Sequence, residues 1–423
     1  MKLSNEYNIF DPLYGEVTLP SELLSLLWLP ILQRLRHIRL SNIDSFEMPG
    51  IANISRYEHS IGVAYLSSKV SFLKKLSHEE SIVFQAAALL HDWDITPFGH
   101  LIQEAFQYVL EDYEHENELY KIVTNVDSKE IGGLSRQLLF GRELGIDKWA
   151  LKTFKTEWQK RLEEISRAVK GEGLFGKCIT STIDLDNLDN VLRIAYHMGL
   201  DVDRSLPVMV AQTIDVSKST DSIVFHPDAI ELIKRWLSIR QTVYSHLMLA
   251  RLDFSAKAML IQSAIWAHEQ NIIHKCDWGL TEFDYTQRLL SNGDDKIRDI
   301  MQRWMTGELW DLSELYWLKN PAPEFSELLK FNDTLQKKLG RECFCYRIKD
   351  KRTRKLNIKT SDGNSVALGA PSNQWLFGVV TSKRKEFTLR ENKLIVDEVC
   401  SYFRTTVINE SDKRDHLNLQ MFK

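Results

Sequence analysis

His91 and Asp92 stand side by side at the end of an apolar run, AAALLHDWD, with His59 upstream in RYEHSIGVAYL and Asp186 downstream in STIDLDNLD. Two imidazoles and two carboxylates make a full ligand set for one divalent ion that keeps open coordination positions. Such an ion holds a phosphate and polarises a water together, which points to a metal-dependent phosphohydrolase. No thiolate joins the set, so a closed structural zinc site is disfavoured. Mixed nitrogen and oxygen ligands suit Mn, Fe, Mg or catalytic Zn. A His-Asp pair is common by chance, and one helical histidine usually packs or faces water. The context is what singles out this pair. It ends an Ala- and Leu-rich helix, where a carboxylate beside imidazoles is costly without a compensating cation. Asp184 and Asp189 flank Asp186, and sequence alone separates Asp184 from Asp186 only weakly.

The elements that must position these groups are mostly helical. Residues 7–20 alternate and carry Asp-Pro and Gly turn signals, predicting a short hairpin or extended arm. Ser21 is expected to cap a helix running into LLSLLWL, and ILQRLRHIRL forms the next. Helical periodicity then continues to about residue 330. Ser77 and Glu80 have the spacing of a capping box, and Pro97 suits a new helix start. Residues 114–126, 146–170, 182–198, 228–268 and 283–305 also read as helices. From about 340, FCYRI, KLNIKT, QWLFGVVT and EFTLR alternate with turn residues and predict a small α/β lobe. The expected fold class is mainly α, a helical core with a short N-terminal β-hairpin and a small C-terminal α/β lobe. Its expected division is 1–48 for the hairpin and lead helices, 49–275 for the catalytic domain and 276–423 for the late lobe.

Composition narrows the class. The 423 residues are 43% hydrophobic and 10% aromatic, enough for a substantial core. With a net charge of -4 and a pI near 6.3, a broad nucleic-acid footprint is not favoured. The basic stretch RIKDKRTRKLNIK at 347–359, with SKRK at 382–385, is the best local candidate for an anionic partner. A solvated β-hairpin is its plainer reading. The five cysteines, at 178, 276, 343, 345 and 400, show no disulfide or zinc spacing and fit a reducing compartment. MKLSNEYNIFDP lacks an apolar signal core, and LLSLLWLPIL at 23–32 is too short to span a bilayer. A cytoplasmic protein with no membrane partner is expected.

The order His, His-Asp, Asp resembles the HD-domain phosphohydrolases, and within them the deoxynucleoside triphosphate triphosphohydrolases. FDPLYGEVTL is similar to that group's N-terminal hairpin, ILQRLRHIRL to its lead helix, and MPGIANISRYEHSIGVAYL to the segment carrying the first histidine ligand. LLHDWDITPFGH, YEHENE and RQTVYSHLMLARLD resemble later motifs. The resemblance is dense over 8–125 and near 180–200, recognisable over 230–265 and vague in the last third. It implies an HD-domain helical core in which His59, His91, Asp92 and Asp186 hold the metal. Arg56 would contact phosphate, or else pair with a nearby Glu. His115, kept protonated by surrounding carboxylates, would assist the departing alkoxide, with His100 as a catalytic helper. Tyr244 would pack on the sugar and His246 would lie near a nucleotide or subunit contact. The resemblance also implies homo-oligomers (dimers, tetramers or hexamers), a nucleotide activator, and a role in nucleotide balance or antiviral defence.

The chain departs from that pattern near the chemistry. Ile95 replaces a histidine that assists catalysis in the family, Gln103 replaces an acidic residue, Asn187 a phosphate-binding lysine and Asn190 an aromatic. The position that reads the sugar hydroxyl falls at Leu40, near Asn42. Lys234 and Arg235 are candidates for the missing phosphate charge, so Asn187, Lys234 and Arg235 complete the expected substrate set. Gln33 and Arg36 match effector-binding positions, whereas Trp28 replaces their acidic partner; an ion pair at the surface or between subunits is the alternative. The leading expectation is hydrolysis of a dNTP to deoxynucleoside and triphosphate. Its competitors are a phosphatase, phosphodiesterase or nuclease using the same ion, and a nucleotide sensor with weak turnover, which Ile95 and Asn187 favour.

Overall fold

Local signals set several helix boundaries. In the computed structural model, which describes residues 8–41, 46–109, 145–180, 183–217, 222–382 and 386–410, Ser77 caps a helix as its spacing predicts. Its Oγ accepts from Glu80 N at 3.3 Å, and the Glu80 carboxylate accepts from Ser77 N at 2.8 Å. Two otherwise unpaired N–H groups are thereby satisfied.

The chain opens with an antiparallel pair, β1 (Ile9–Asp11) and β2 (Gly15–Val17), then α1 (Ser21–Leu26) and α2 (Pro30–Arg34). Next come α3 (Arg56–Ser67), α4 (His78–Leu90) and α5 (His100–Val109). After them stand α6 (Ile146–Phe154), α7 (Trp158–Val169), α8 (Gly173–Ile179), α9 (Leu185–His197) and α10 (Leu206–Gln212). The pair β3 (Ile214–Ser217) and β4 (Ser222–Phe225) precedes α11 (Ala229–Leu249), α12 (Arg251–Glu269), α13 (Glu282–Asn292) and α14 (Asp295–Thr306). The last part holds β5 (Asp311–Leu312), β6 (Tyr316–Lys319), α15 (Phe325–Leu339), β7 (Phe344–Lys349), β8 (Leu356–Lys359) and β9 (Ser365–Leu368). It closes with β10 (Gln374–Thr381), α16 (Leu389–Phe403) and β11 (Val407–Glu410). The fold is mainly α with small sheets, as the sequence pattern predicts.

α4 is buried along its whole body from Ile82 to Leu90 and is the centre of the helical core. A helix apolar on all sides must be wrapped by others, and α3 and α7 pack on it. α9 lies against α3 and α11, while α12 lies against α5 and α14. In the late sheet β10 pairs with β7 along one edge and with β6 and β5 along the other, and β11 extends β6. Leu328, Phe331, Phe377, Ile395 and Val399 form a core between this sheet and α15 and α16. Tyr346 of β7 meets Phe254 of α12, with ring centroids 5.0 Å apart, which joins sheet to helical core.

Several boundaries differ from expectation. Helical structure does not run unbroken to 330, because β3, β4, β5 and β6 intervene. Ser21 is the first residue of α1 rather than its cap, and no side chain caps that helix. Pro97 does not open a helix. Phe98 and Gly99 take φ of 57° and 61° before α5 begins. The buried Phe98 ring, packed edge-on against Tyr285 and Trp304, holds that turn. The 146–170 helix is interrupted near Lys155 (φ 53°), and 228–268 bends at Ala250 (ψ 105°). The 283–305 helix divides at Gly293, where a Cβ would stand 2.5 Å from Leu289 O. The helix expected at 114–126 lies outside the described residues. No described helix is long and apolar enough to cross a membrane.

Candidate metal centre and its cavity

α3, α4 and α9 carry the ligand candidates. Ser55 caps α3, its Oγ accepting from Glu58 N at 3.2 Å, and His59 follows one turn later. Gly62 lets α9 come close: a Cβ there would lie 2.2 Å from Asp189 Oδ1. His91 is the C-terminal cap residue of α4, with Asp92 in the turn beyond. Asp184 caps α9 by accepting from Asn187 N at 2.6 Å, which puts Asp186 in the first turn. Asp184 is thus committed to the backbone.

His59 Nε2 lies 3.2 Å from His91 Nε2 and 3.0 Å from Asp186 Oδ1. His91 Nε2 is 3.8 Å from the same Asp186 oxygen. Asp92 Oδ2 stands 3.6 Å from His91 Nε2 and 3.9 Å from His59 Nε2. The far ring nitrogens are engaged. His91 Nδ1 donates to the Ala88 carbonyl at 2.8 Å, which directs its Nε2 lone pair inward. His59 Nδ1 lies 3.2 Å from Asp189 Oδ2, and Asp189 is held by Arg193. Arg193 also reaches Asp11 at 2.9 Å and Glu58 at 2.5 Å, and the Tyr14 hydroxyl donates to Asp189 at 3.2 Å. One buried guanidinium therefore ties the hairpin, α3 and α9 behind the centre.

Charge is concentrated here. Burial works against the imidazolium of His59, but Asp186 and Asp189 outweigh it and raise its pKa to about 9. Burial would raise the Asp92 carboxyl, yet Arg56 first and then His91 and His59 hold it well below the usual carboxylate range. Asp186 and Asp189 are likewise lowered against burial, by His59 and by Arg193 respectively. The carboxylates thus demand positive charge between the rings, from a proton on His59 or from a cation. An ion with ligand bonds of about 2.1 Å sets neighbouring donors roughly 3 Å apart. His59, His91 and Asp186 offer donor atoms all within 4.8 Å of one another, so these residues fit a divalent ion. Asp92 is a shared case, because Arg56 Nη1 bonds its Oδ2 at 2.6 Å.

Arg56 leads from the cluster into a cavity of about 410 Å³ between the helical core and the late sheet. Tyr244 and His100 line it. His100 Nδ1 lies 2.7 Å from Gln103 Oε1. His100 is open to the cavity but closely surrounded by protein, and burial with the Arg56 charge pushes its pKa down to about 4, so it is neutral near pH 7. The cation of Arg240 sits 4.3 Å from the Tyr244 ring.

Other expected residues are placed elsewhere. Lys234 and Arg235 do not line this cavity. They lie on the exposed side of α11, paired with Glu231 at 2.5 Å and Asp203 at 2.9 Å, so their charge is already committed. Asn187 spends its amide on Asp184 at 2.9 Å and accepts from Arg240 at 3.3 Å. His246 is half-buried on α11 and does not line the cavity. Gln33 donates to Leu27 O at 2.7 Å and accepts from Arg36 at 3.2 Å, a local pairing on α2 and the turn after it. His115 lies outside the described residues. Ile95 is fully buried, and its carbonyl accepts from Arg34 at 2.6 Å.

The sequence pattern did not single out the pairing of Asp189 with Arg193, or Lys257 on the cavity wall, whereas Arg347 and Lys351 on that wall belong to the basic 347–359 stretch named as a candidate for an anionic partner. The first pair was readable as an i, i+4 charge pair on α9. Lys257 was readable as a lone cation in the apolar run DFSAKAMLI. The basic 347–351 stretch gave no sign that it folds back over the core.

No family model matches the chain. It is similar to the deoxynucleoside triphosphate triphosphohydrolase SAMHD1 of Danio rerio, 27% identical over 214 residues that cover 45% of this chain and 33% of that protein. The Mus musculus protein of the same name is 26% identical over 216 residues, covering 45% and 31%. The uncharacterized protein YdhJ of Bacillus subtilis is 35% identical over 123 residues, 29% of this chain and 35% of that one. The chain therefore spans about a third of the length of these curated relatives. Among solved structures, a phosphohydrolase of Bacteroides thetaiotaomicron superposes with a TM-score of 0.61 at 16% identity, over 89% of this chain and 100% of that one. That likeness shows the shared fold. Together with the SAMHD1 matches it supports a relationship to the HD-domain phosphohydrolases on the dNTPase side.

Proposed function

We propose that this relative of the HD-domain phosphohydrolases is a metal-dependent hydrolase of deoxynucleoside triphosphates, yielding deoxynucleoside and triphosphate. One observation carries the reading. The cluster of His59, His91 and Asp186, with Asp92 beside it, adjoins through Arg56 a cationic cavity of about 410 Å³, a volume ordinary for a small-molecule site. His59, His91, Asp92 and Asp186 would hold one divalent ion, which when bound supplies Lewis-acid polarisation of phosphate and water.

The chain's own residues do the rest. Arg56 faces both Asp92 and the cavity and balances charge on the phosphate. Neutral His100 orients a water or a phosphate oxygen by hydrogen bonding. Tyr244, with Arg240 on its face, gives the sugar a flat wall. In the reaction water adds to the α-phosphorus, the bond from phosphorus to the 5′-oxygen breaks, and that oxygen takes a proton, for which His115 is the proposed donor. Cytoplasmic location, homo-oligomers and a nucleotide activator acting near Gln33 and Arg36 belong to the same proposal.

A second reading keeps the ion and changes the substrate, or reduces turnover to sensing. It is favoured by buried Ile95 and by the engagement of Asn187 with Asp184. Incubation with the four dNTPs, singly and mixed, with Mn²⁺, Mg²⁺ or Co²⁺ separates the two. Triphosphate and deoxynucleoside, lost in Asp92→Ala, support the first. Inorganic phosphate, a cleaved oligonucleotide, or tight binding without products supports the second.

A further inference from the structure

Among the described residues, part of the positive charge on the cavity wall has no ion-pair partner. Arg56 is compensated by Asp92, and Arg347 by Glu104 at 2.8 Å and the Pro323 carbonyl at 2.7 Å. Lys257 is different. It projects from α12 into the same cavity and is only 8% exposed. Among the described residues its ammonium makes no hydrogen bond or ion pair. Asp253, one turn earlier on α12, attracts it without direct contact, and its carboxylate accepts from Phe46 N at 3.0 Å. Lys351 faces it from the segment after β7, and Lys349 lines the same wall.

Holding an unpaired ammonium in such a place is costly. Burial, with Lys351 adding repulsion, pushes the Lys257 pKa down to about 7. A methionine would fill this helix position more cheaply. The retained charge calls for an anion that enters from the cavity. An anion reaching both Lys257 and the Arg56 side must be extended and carry several charges, as a linear polyphosphate does.

We propose that Lys257, joined by Lys351 from the late lobe, forms a polyphosphate subsite that holds the phosphate tail of the substrate. The inference rests on the nucleotide reading above and deepens it. It makes the sheet a working wall of the site rather than an appendage.

Calorimetric titration of the full chain with sodium tripolyphosphate in metal-free buffer tests it. Wild-type protein is expected to bind, and Lys257→Met to weaken binding by about tenfold or more, the loss of one charged hydrogen bond. The exposed change Lys351→Gln is expected to weaken it severalfold without endangering the fold, and Lys177→Gln, an exposed control, to change nothing. Lys257→Met is also expected to melt at or above the wild-type temperature, so weaker binding is not unfolding. No binding by wild-type protein, or unchanged binding in Lys257→Met and Lys351→Gln, overturns the subsite. The two proposals separate in a hydrolysis assay. Unchanged dNTP KM in Lys257→Met removes the subsite and leaves the activity. Tripolyphosphate binding that depends on Lys257, in a protein that hydrolyses no dNTP, keeps the subsite and removes the activity.

Discussion

At the scale of single residues, what surrounds a side chain decides what its identity means. Ile95 illustrates this. The family resemblance places it where a catalytic histidine is expected, yet its side chain is fully buried and its carbonyl belongs to the Arg34 network. Ile95→His is therefore expected to destabilise the fold by about 1–3 kcal/mol, the cost of burying an unmet polar group, with no gain in hydrolysis. Urea denaturation beside a product assay checks both. Lys257 gives a signed pH dependence. Its pKa of about 7 lies below the ordinary 10.5. Below about pH 7 both folded and unfolded chains carry the proton, and the cost of burying it is fully present. Between those values the unfolded chain binds more protons, so stability rises with pH. The stability advantage of Lys257→Met over wild type should thus be largest near pH 6–7 and shrink towards pH 10, as thermal melts will report. An advantage that grows with pH would mean that the lysine is not buried as a charge.

At the scale of elements, the centre is held by helix ends and by one buried arginine. Arg193 joins Asp11 of β1, Glu58 of α3 and Asp189 of α9, and Asp189 orients His59. Arg193→Ala leaves three carboxylates facing one another. A loss of about 3–5 kcal/mol is expected from breaking such a buried network, and metal affinity should fall about 10–100-fold as His59 loses its orientation. A variant with wild-type stability and metal affinity would show that the network is incidental. Much at this scale was legible. The Ser77–Glu80 box set the start of α4, and the apolar run ending in His91 and Asp92 set its end. The breaks were not. Gly293 looks like any helical glycine until Leu289 and Ile297 are seen to exclude a Cβ. Ala250 carries no breaking signal at all, because the bend there joins two helices that each pack elsewhere. The short strands β5 and β6 exist through pairing with β10, a partner far along the chain.

At the scale of the whole molecule, the late sheet returns over the helical core and completes the cavity. Tyr346 meets Phe254, and Arg347 pairs with Glu104 of α5, which docks β7 beside the site. The sequence offers the 347–359 segment as a candidate for an anionic partner or, more plainly, a solvated hairpin, and charge patterning alone has no way to show which wall it joins. Lysines on that wall, without an ion-pair partner among the described residues, should make nucleotide binding sensitive to salt. The KM for a hydrolysed nucleotide is expected to rise several-fold between roughly 0.05 and 0.3 M salt while kcat changes little. A salt-independent KM would show that the wall does not meet the phosphates.

All of this depends on two histidines and an aspartate from three helices closing around one cation. Elemental analysis of natively purified protein, wild type against His91→Ala and Asp186→Ala, asks that directly. About one divalent ion per chain in the wild type, lost in both variants while the fold is kept, is the expected result. A wild-type chain without bound metal, or variants that retain a full ion, would contradict it.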